Sequence, residues 1–316
     1  MTTVTTGVRA RSRTPAPAGR SPRRRGGFGA NYLFLVPAVL FVGVTVVYPL
    51  IYNVVQSFQD VGLKEVINGG ADWVGFANFA DQFGRAEFWQ ALWLSLAYTV
   101  GTVALSYAGG LGLALLFLHR FAGRNVMRAL LMLAWILPTV VGANVWRWLL
   151  DGSYGLLNAV LRGLGLIDGD VFWLGQPGPA LVSVVVATAW SFAPFAMILL
   201  VAGLQSVPGV LYEAARIDGA SAWQQFRHVT LPVLRPVSVT VMLLIFIFAF
   251  KTFDTIYLMT GGGPGGATLT LPLYAFQEAF EFRRYDTAAV ATTVMLLVPL
   301  VLSVFYFRSL RREESA

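Results

Sequence analysis

Side chains able to carry chemistry are sparse in this sequence, which narrows the reactions open to it. Cysteine does not occur in the 316 residues, and this removes disulfides, thiolate nucleophiles and Cys-based metal centres. The two histidines, His119 and His228, each adjoin an arginine in a polar stretch. They read as solvated side chains, since common zinc centres need three or four ligands. More informative are the polar residues inside apolar runs, which in a membrane are functional by default. Lys251 and Asp254 stand three apart in one such run, a spacing that on a helix puts them on one face within pairing distance. Asn144, Arg147 and Trp148 lie near the end of a second run, and Trp190 with Ser191 comes one turn before Pro194 in a third. From residue types alone two readings stay open: groups lining a path for a polar solute, or a Lys–Asp pair that neutralises itself beside tryptophans that anchor at an interface.

The elements that hold these residues follow from composition. Apolar residues make up 56% of the chain and charged residues only 12%, against roughly 25% charged in a soluble domain. Mean hydropathy is +0.65. So few charges cannot coat a soluble globule of this size, and the chain reads as an all-α, polytopic membrane bundle. Six apolar segments are expected to cross the bilayer, at about 32–58, 89–118, 126–150, 180–203, 237–259 and 287–307, each long enough for a hydrocarbon core of roughly 30 Å at about 1.5 Å per residue. No internal repeat is visible.

Net charge is +7, and the placement of the cations decides its meaning. Sixteen arginines fall in the tail before the first segment, in alternate connections and after the last segment, whereas only Lys64, Arg85, Arg162, Arg283 and Arg284 occupy the other connections. The positive-inside rule therefore puts both termini in the cytoplasm of a multi-pass cell-membrane protein. Residues 1–30, rich in Arg, Pro, Ser, Thr and Gly, read as a disordered basic cytoplasmic tail; 31–310 read as the six-helix transmembrane domain, and 311–316 as a short cytoplasmic tail. Arg24-Arg25 before Phe28 is read as part of the tail before an uncleaved span rather than an export signal, because the apolar run is too long and no small-x-small site closes it.

The connection over 205–235 carries the strongest local signal. Pro208 suits the first turn of a helix, which Glu213, Ala214 and Ala215 continue. Asp218-Gly219 ends that helix with a residue free to take positive φ. Ser221 and Gln224 have the spacing of a capping box that opens a second helix. Trp223, Phe226 and Val229 follow at intervals of three, and Pro232 is expected to stop it. The pattern predicts two short helices meeting at a glycine corner with an aromatic face in need of cover. That cover is either the bilayer surface or a docked protein.

Glu213-Ala214-Ala215, Gly219 four residues on, Phe226 and the Leu231-Pro232 end resemble the cytoplasmic loop motif of ATP-binding-cassette importer permeases. The longer string from Glu213 to Trp223 is similar to the carbohydrate-uptake branch, and Thr260-Gly261-Gly262-Gly263-Pro264 to the subtype of the F-type maltose subunit. The resemblance runs from about residue 34 to 308. It implies a type I importer permease fold in which the 205–235 loop is a coupling helix seated in an ATPase subunit, with Glu213 as charged anchor, Gly219 as corner, and Ala214, Ala215, Asp218 and Phe226 completing the contact. It also implies a second homologous permease, two ATPase subunits and an extracytoplasmic solute-binding protein as partners. This chain then performs no covalent chemistry and needs no cofactor of its own, ATP and magnesium being bound by the ATPase subunits.

A sugar path needs a flat aromatic for the C–H face of the ring and planar polar groups for its hydroxyls. Trp190, Asn144, Lys251 and Asp254 have those types. The stretch 261–266 lacks the Gly-Lys-Ser/Thr of a phosphate loop and reads as a flexible turn or a receptor contact. Rivals are an importer permease for a polyol, glycerol phosphate or amino acid, and an ion-coupled secondary transporter. The latter favours several buried carboxylates and an internal repeat, where the spans hold one carboxylate, Asp254.

Overall fold

The structure, a computed structural model, describes residues 34–119 and 121–314, with side chains through 308; the tail expected at 1–30 lies outside that range. The described residues divide into two units between Leu50 and Ile51. The division falls inside α1 (Val36–Gln56), an apolar helix with a π-helical stretch at Gly43–Val47.

The remaining described residues are almost wholly helical. A two-stranded antiparallel ladder, β1 (Gln59–Asp60) on β2 (Asp72–Trp73), flanks α2 (Leu63–Asn68). There follow α3 (Ala77–Gly84), α4 (Ala86–Leu118), α5 (Arg124–Ile136), α6 (Thr139–Leu149), α7 (Leu156–Gly163), α8 (Pro177–Gln205), α9 (Gly209–Ile217), α10 (Ala222–Phe250), α11 (Asp254–Thr260), α12 (Leu271–Phe276) and α13 (Tyr285–Glu314). Helices α1, α4, α8, α10 and α13 are each long and apolar enough to cross a membrane, and α5 with α6 makes a sixth when the bent pair is counted as one span. Residues 311–314, expected as tail, continue α13.

Helix α8 is the axis of the second unit. One half-length packs Ala196, Met197, Leu200 and Leu204 against Ala114 and Phe117 of α4 and Leu234, Val241 and Ile245 of α10. The other packs Val184 and Ala187 with Tyr98 of α4, Ala143 of α6 and Ile256 of α11. Small residues set the α4–α8 spacing: a Cβ added at Gly110 would lie 2.5 Å from the Ala196 Cβ and 2.9 Å from the Ala193 carbonyl. Without a hydrophobic driving force between lipid-immersed helices, such close approach is what stabilises their pairing. Hydrogen bonds between hydroxyls reinforce it, from Tyr98 to Thr188 at 2.9 Å and from Tyr107 of α4 to Ser238 of α10 at 2.8 Å. The small residues of α13, Thr287, Ala288, Ala289, Ala291 and Thr293, are buried within the chain itself.

Three expectations from the sequence need correction. The apolar run 126–150 is not one straight helix: α5 and α6 meet at 97°. Pro138 has no N–H to give α5, and the residue before it, Leu137, adopts an extended ψ of 138°, as the proline ring's bulk requires. The run 237–259 breaks after Phe250, so Lys251 and Asp254 are not one turn apart on a single helix; Lys251 ends α10 and Asp254 opens α11. Pro232, in contrast, stops nothing. The second helix of the 205–235 connection runs on into the membrane span as part of α10, because a π turn at Phe226–Thr230, closed by the Leu231 N–H on the Phe226 carbonyl, carries the backbone past Pro232, which stands in the first turn of the α-helical stretch Leu231–Phe250.

Candidate functional site

Two regions concentrate the residues of interest. The first is the elbow between α9 and α10. Helix α9 ends in a double hydrogen bond, from the Ala220 N–H to the Ala215 carbonyl at 2.9 Å and from the Gly219 N–H to the Arg216 carbonyl at 3.1 Å. This closure needs a left-handed residue just past the helix end, and Gly219 supplies it with φ at +76°. Ser221 then caps α10: its N–H donates to Gln224 Oε1 at 2.7 Å, and its Oγ accepts the Gln224 N–H at 3.4 Å. Across the corner, Tyr212 and Thr230 share a hydroxyl hydrogen bond of 2.9 Å, and Gln225 Nε2 donates to the Ala220 carbonyl at 2.9 Å. The elbow is thus a jointed unit whose second arm is the membrane span itself.

Its surface is unfinished. Glu213, Ala214, Asp218 and Gly219 are exposed, and Ala215 and Phe226 half-buried. Ile217 is 87% exposed, Val210 70% and Trp223 66%, with the Trp223 ring 5.6 Å from that of Phe226. Between the arms lies a shallow groove lined by Ala215, Asp218, Gly219, Gln224, His228 and Val229.

The second region is a cavity of about 390 Å³ where the two broken spans face α8. Both interruptions border it, Leu137 and Thr139 from one and Lys251, Thr252 and Phe253 from the other. Non-helical backbone at membrane depth is tolerated where it lines such a space. One wall is aromatic: Trp135 stacks on Phe195 at 4.7 Å, outside the lining, and reaches Phe192 at 5.2 Å and Phe248 at 6.2 Å. The other is polar, with Thr139, Thr188, Ser191, Thr255, Lys251 and Asp254. No ion pair joins Lys251 to Asp254 among the described residues. The ammonium stands 5.3 Å over the Phe248 ring, and each charge lies at the helix terminus whose dipole favours it. The Arg147 guanidinium donates to the Leu258 carbonyl at 3.3 Å, tying α6 to α11. Aromatic rings together with hydroxyls and two separated charges in one lining can hold a polyhydroxylated solute by stacking and hydrogen bonds.

Of the four pathway candidates from the sequence, the cavity brings together Lys251 and Asp254 but not Trp190 or Asn144. Trp190 packs edge-on against Trp146, which does line it, at 6.0 Å. The Asn144 amide turns back to the Val140 carbonyl on its own helix. Trp135, Phe192 and Phe248 escaped sequence reasoning, since an aromatic within an apolar run carries no mark of its facing; Pro138, signalling the break beside Trp135, was the available clue.

At the end of the bundle beyond the cavity, the glycine turn at 261–266 is pinned rather than loose. Buried Thr268 shares a 2.7 Å hydroxyl hydrogen bond with Thr260, donates to the Gly263 carbonyl at 2.8 Å, and gives its N–H to the Gly262 carbonyl. Next to it, Glu278 is buried and pairs with Arg284, whose Nη2 donates to Oε1 at 3.0 Å while Nε lies 2.8 Å from Oε2, off the hydrogen-bonding line. Burial pushes the Glu278 carboxyl above its ordinary range, and the Arg284 charge partly offsets this. Among the described residues no cluster of three or more His, Asp or Glu stands where a metal ion could be held.

Comparison with known proteins assigns the scaffold. Residues 106–313 match the family described as "Binding-protein-dependent transport system inner membrane component". The chain is 34% identical over 279 residues to the trehalose/maltose transport system permease protein MalF of Thermococcus litoralis, covering 88% of this chain and 92% of that protein. It is 35% identical over 295 residues to the diacetylchitobiose uptake system permease protein DasB of Streptomyces coelicolor, covering 92% and 89%. The fold is shared with a chain of a bacterial ABC transporter that imports the acidic polysaccharide alginate, with a TM-score of 0.75 at 23% identity over 90% of this chain and 96% of that one. These matches describe a multi-pass membrane component of a transport system rather than an enzyme, and the chain belongs to the binding-protein-dependent transport system inner membrane component family, the importer permeases that its Glu213–Pro232 motif resembles.

Proposed function

We propose that this chain is a permease subunit of an ATP-binding-cassette importer that carries a sugar or oligosaccharide. It works beside a second homologous permease, two ATPase subunits and an extracytoplasmic solute-binding protein, with both of its termini in the cytoplasm. The observation that carries the reading is the elbow. A loop with Val210, Ile217 and Trp223 uncovered and Glu213 exposed beside them joins, at its Gly219 corner, a helix that runs through a π turn into the membrane span and ends on the cavity. A force on that loop is delivered to Phe248 and Lys251 through one helix.

In this mechanism the elbow seats in a groove of the ATPase subunit, Glu213 offering the charge and Gly219 the close backbone approach. Closure of the two ATPases on ATP moves the elbow, α10 transmits the movement, and the broken spans reorient so that the cavity opens to one side and then the other. Trp135, Phe192 and Phe248 stack on the sugar, while Lys251, Asp254 and the neighbouring hydroxyls hold its polar edge. Linkage makes the coupling reciprocal, so that a liganded binding protein outside favours closure inside. Saccharide transport rests on the aromatic and polar walls of the cavity, and on the named solutes of the trehalose/maltose and diacetylchitobiose relatives.

The test is co-purification of the complex with Glu213→Arg in the permease. The ATPase subunits are expected to be lost from the variant while the sister permease stays bound. Full retention of the ATPase with normal uptake would overturn the role of the elbow.

A further inference from the structure

At the end of the bundle opposite the elbow, the segment between α1 and α4 carries an aromatic ladder that nothing above uses. Phe58 stacks on Trp73 at 5.6 Å and meets Phe76 at 5.2 Å and Phe79 at 5.1 Å. Phe79 leads to Phe83 at 6.1 Å, and Phe83 to Trp89 at 5.7 Å. The rings are held by polar ties beneath them: Asn78 Nδ2 donates to the Ser57 and Gln59 carbonyls, and the Trp89 indole to the Phe83 carbonyl at 2.8 Å. Phe76 is 74% exposed and Trp73 65%. A rigid row of large rings is thus left without cover by its own chain.

We infer that this ladder is seated in the headgroup–acyl boundary of the bilayer and anchors the segment 58–89 to lipid. Continuity argues for lipid as the occupant. The ladder ends on Trp89, and Trp89, Trp93 and Val100, all exposed, fall on one stripe of the spanning helix α4 that no other described helix of this chain covers. The rings continue that uncovered apolar stripe, and tryptophans so placed suit a membrane–water interface. Trp73 fits this place: its ring is stacked, while its indole N–H has no partner among the described residues and is free for a lipid carbonyl or water, the amphipathic arrangement that favours tryptophan at interfaces. Charge argues against attraction to anionic headgroups. Residues 58–89 hold five acidic residues and only Lys64 and Arg85 as bases, with Arg85 paired to Asp81. Anchoring rests on ring burial, so it is independent of anionic lipid and of salt.

The absence of cysteine makes the test direct. Phe76→Cys and, as an independent position, Trp73→Cys are labelled with a polarity-sensitive fluorophore in the full transporter complex, in phosphatidylcholine vesicles where uptake is retained. Asp168→Cys, on an exposed polar turn, serves as solvent reference. For insertion about 5–10 Å deep, a nitroxide on a shallow acyl carbon is expected to quench both ladder labels about threefold more strongly than the reference, at low and high salt alike. Aqueous iodide should reach them weakly. Full iodide access without lipid quenching at both positions overturns the inference. So does shielding that arises only when the solute-binding protein is added, which makes the ladder a protein-docking surface, or quenching that disappears in high salt or requires anionic lipid.

Discussion

The elbow and the cavity solve opposite problems with the same helix, α10. At one end of it the backbone is fully organised by local hydrogen bonds, from the Gly219 closure to the Ser221–Gln224 cap, and the apolar side chains are left bare. At the other end the side chains are gathered and enclosed, Trp135 with Phe192 and Phe248, while the backbone of two spans is broken. On the proposed reading, the elbow keeps the shape of a docking surface without its partner, and the cavity is framed by spans that are already interrupted. The contrast separates transmission from recognition, and substitutions should affect one without the other.

The largest effect is expected where both regions share a support. Gly110→Leu forces α4 away from α8, and overpacking of this kind costs about 1–3 kcal/mol. Thermal unfolding of the purified complex should shift down by several degrees, with uptake and solute binding lost together. Loss of only one would show that the α4–α8 contact does not hold the two regions in common.

Gly219→Val is expected to break transmission alone. A branched side chain at φ +76° costs about 1–2 kcal/mol, which corresponds to about tenfold. Uptake should fall by about that factor, and solute affinity of the binding protein should not change. A fall in uptake fully explained by lower permease abundance would count against a coupling role.

Trp135→Ala should break recognition alone. Each lost ring contact is worth about 0.5–1.5 kcal/mol, so the solute-loaded receptor concentration giving half-maximal uptake, or the preference between two saccharides, should shift severalfold, with ATPase assembly intact. Unchanged preference across a saccharide panel would remove the solute from this wall.

The smallest effect concerns neither region and serves as a control on the scaffold beyond the cavity. Burial raises the Glu278 pKa in the folded chain above its unfolded value. The folded state therefore holds the proton more tightly, and this group's contribution to stability is fully present below the unfolded pKa and lost as pH rises through the folded one. Relative to Glu278→Gln, the unsubstituted chain should gain thermal stability as pH falls from neutrality toward the ordinary glutamate range. A difference independent of pH would mean that Arg284 fully compensates the burial.

The elbow was largely legible in the sequence because its determinants are local. Glycine at a left-handed position, Ser-x-x-Gln at a helix start and an arginine-rich connection each act within a few residues. What escaped was the fate of Pro232, since a π turn upstream can carry the helix past it. The cavity was scarcely legible. Lys251 and Asp254 stand out as charges in an apolar run, but their relation depends on whether that run is one helix or two, and the helix that follows the break packs on the distant α6 and α8. Asn144 and Trp190 have suitable chemistry and lie away from the lining: Gly142, Ala143 and Trp146 of the same helix as Asn144 face the cavity while the Asn144 amide turns back to Val140, and Trp190 packs behind Trp146. Facing within a membrane helix is decided by tertiary packing, which polarity alone does not encode when both faces are apolar.

In the proposed mechanism, work done by a separate ATPase enters this chain through Gly219 and its elbow and emerges as movement of solute. The most direct measurement follows ATP hydrolysis and saccharide accumulation in the same vesicles, containing either the complete complex, the complex with Gly219→Val, or this chain alone. Accumulation is expected only in the complete complex with ATP and the liganded binding protein, and the Gly219→Val complex should continue to hydrolyse ATP with little accumulation. Accumulation against a gradient by this chain alone, or full coupling in the variant, would contradict the account.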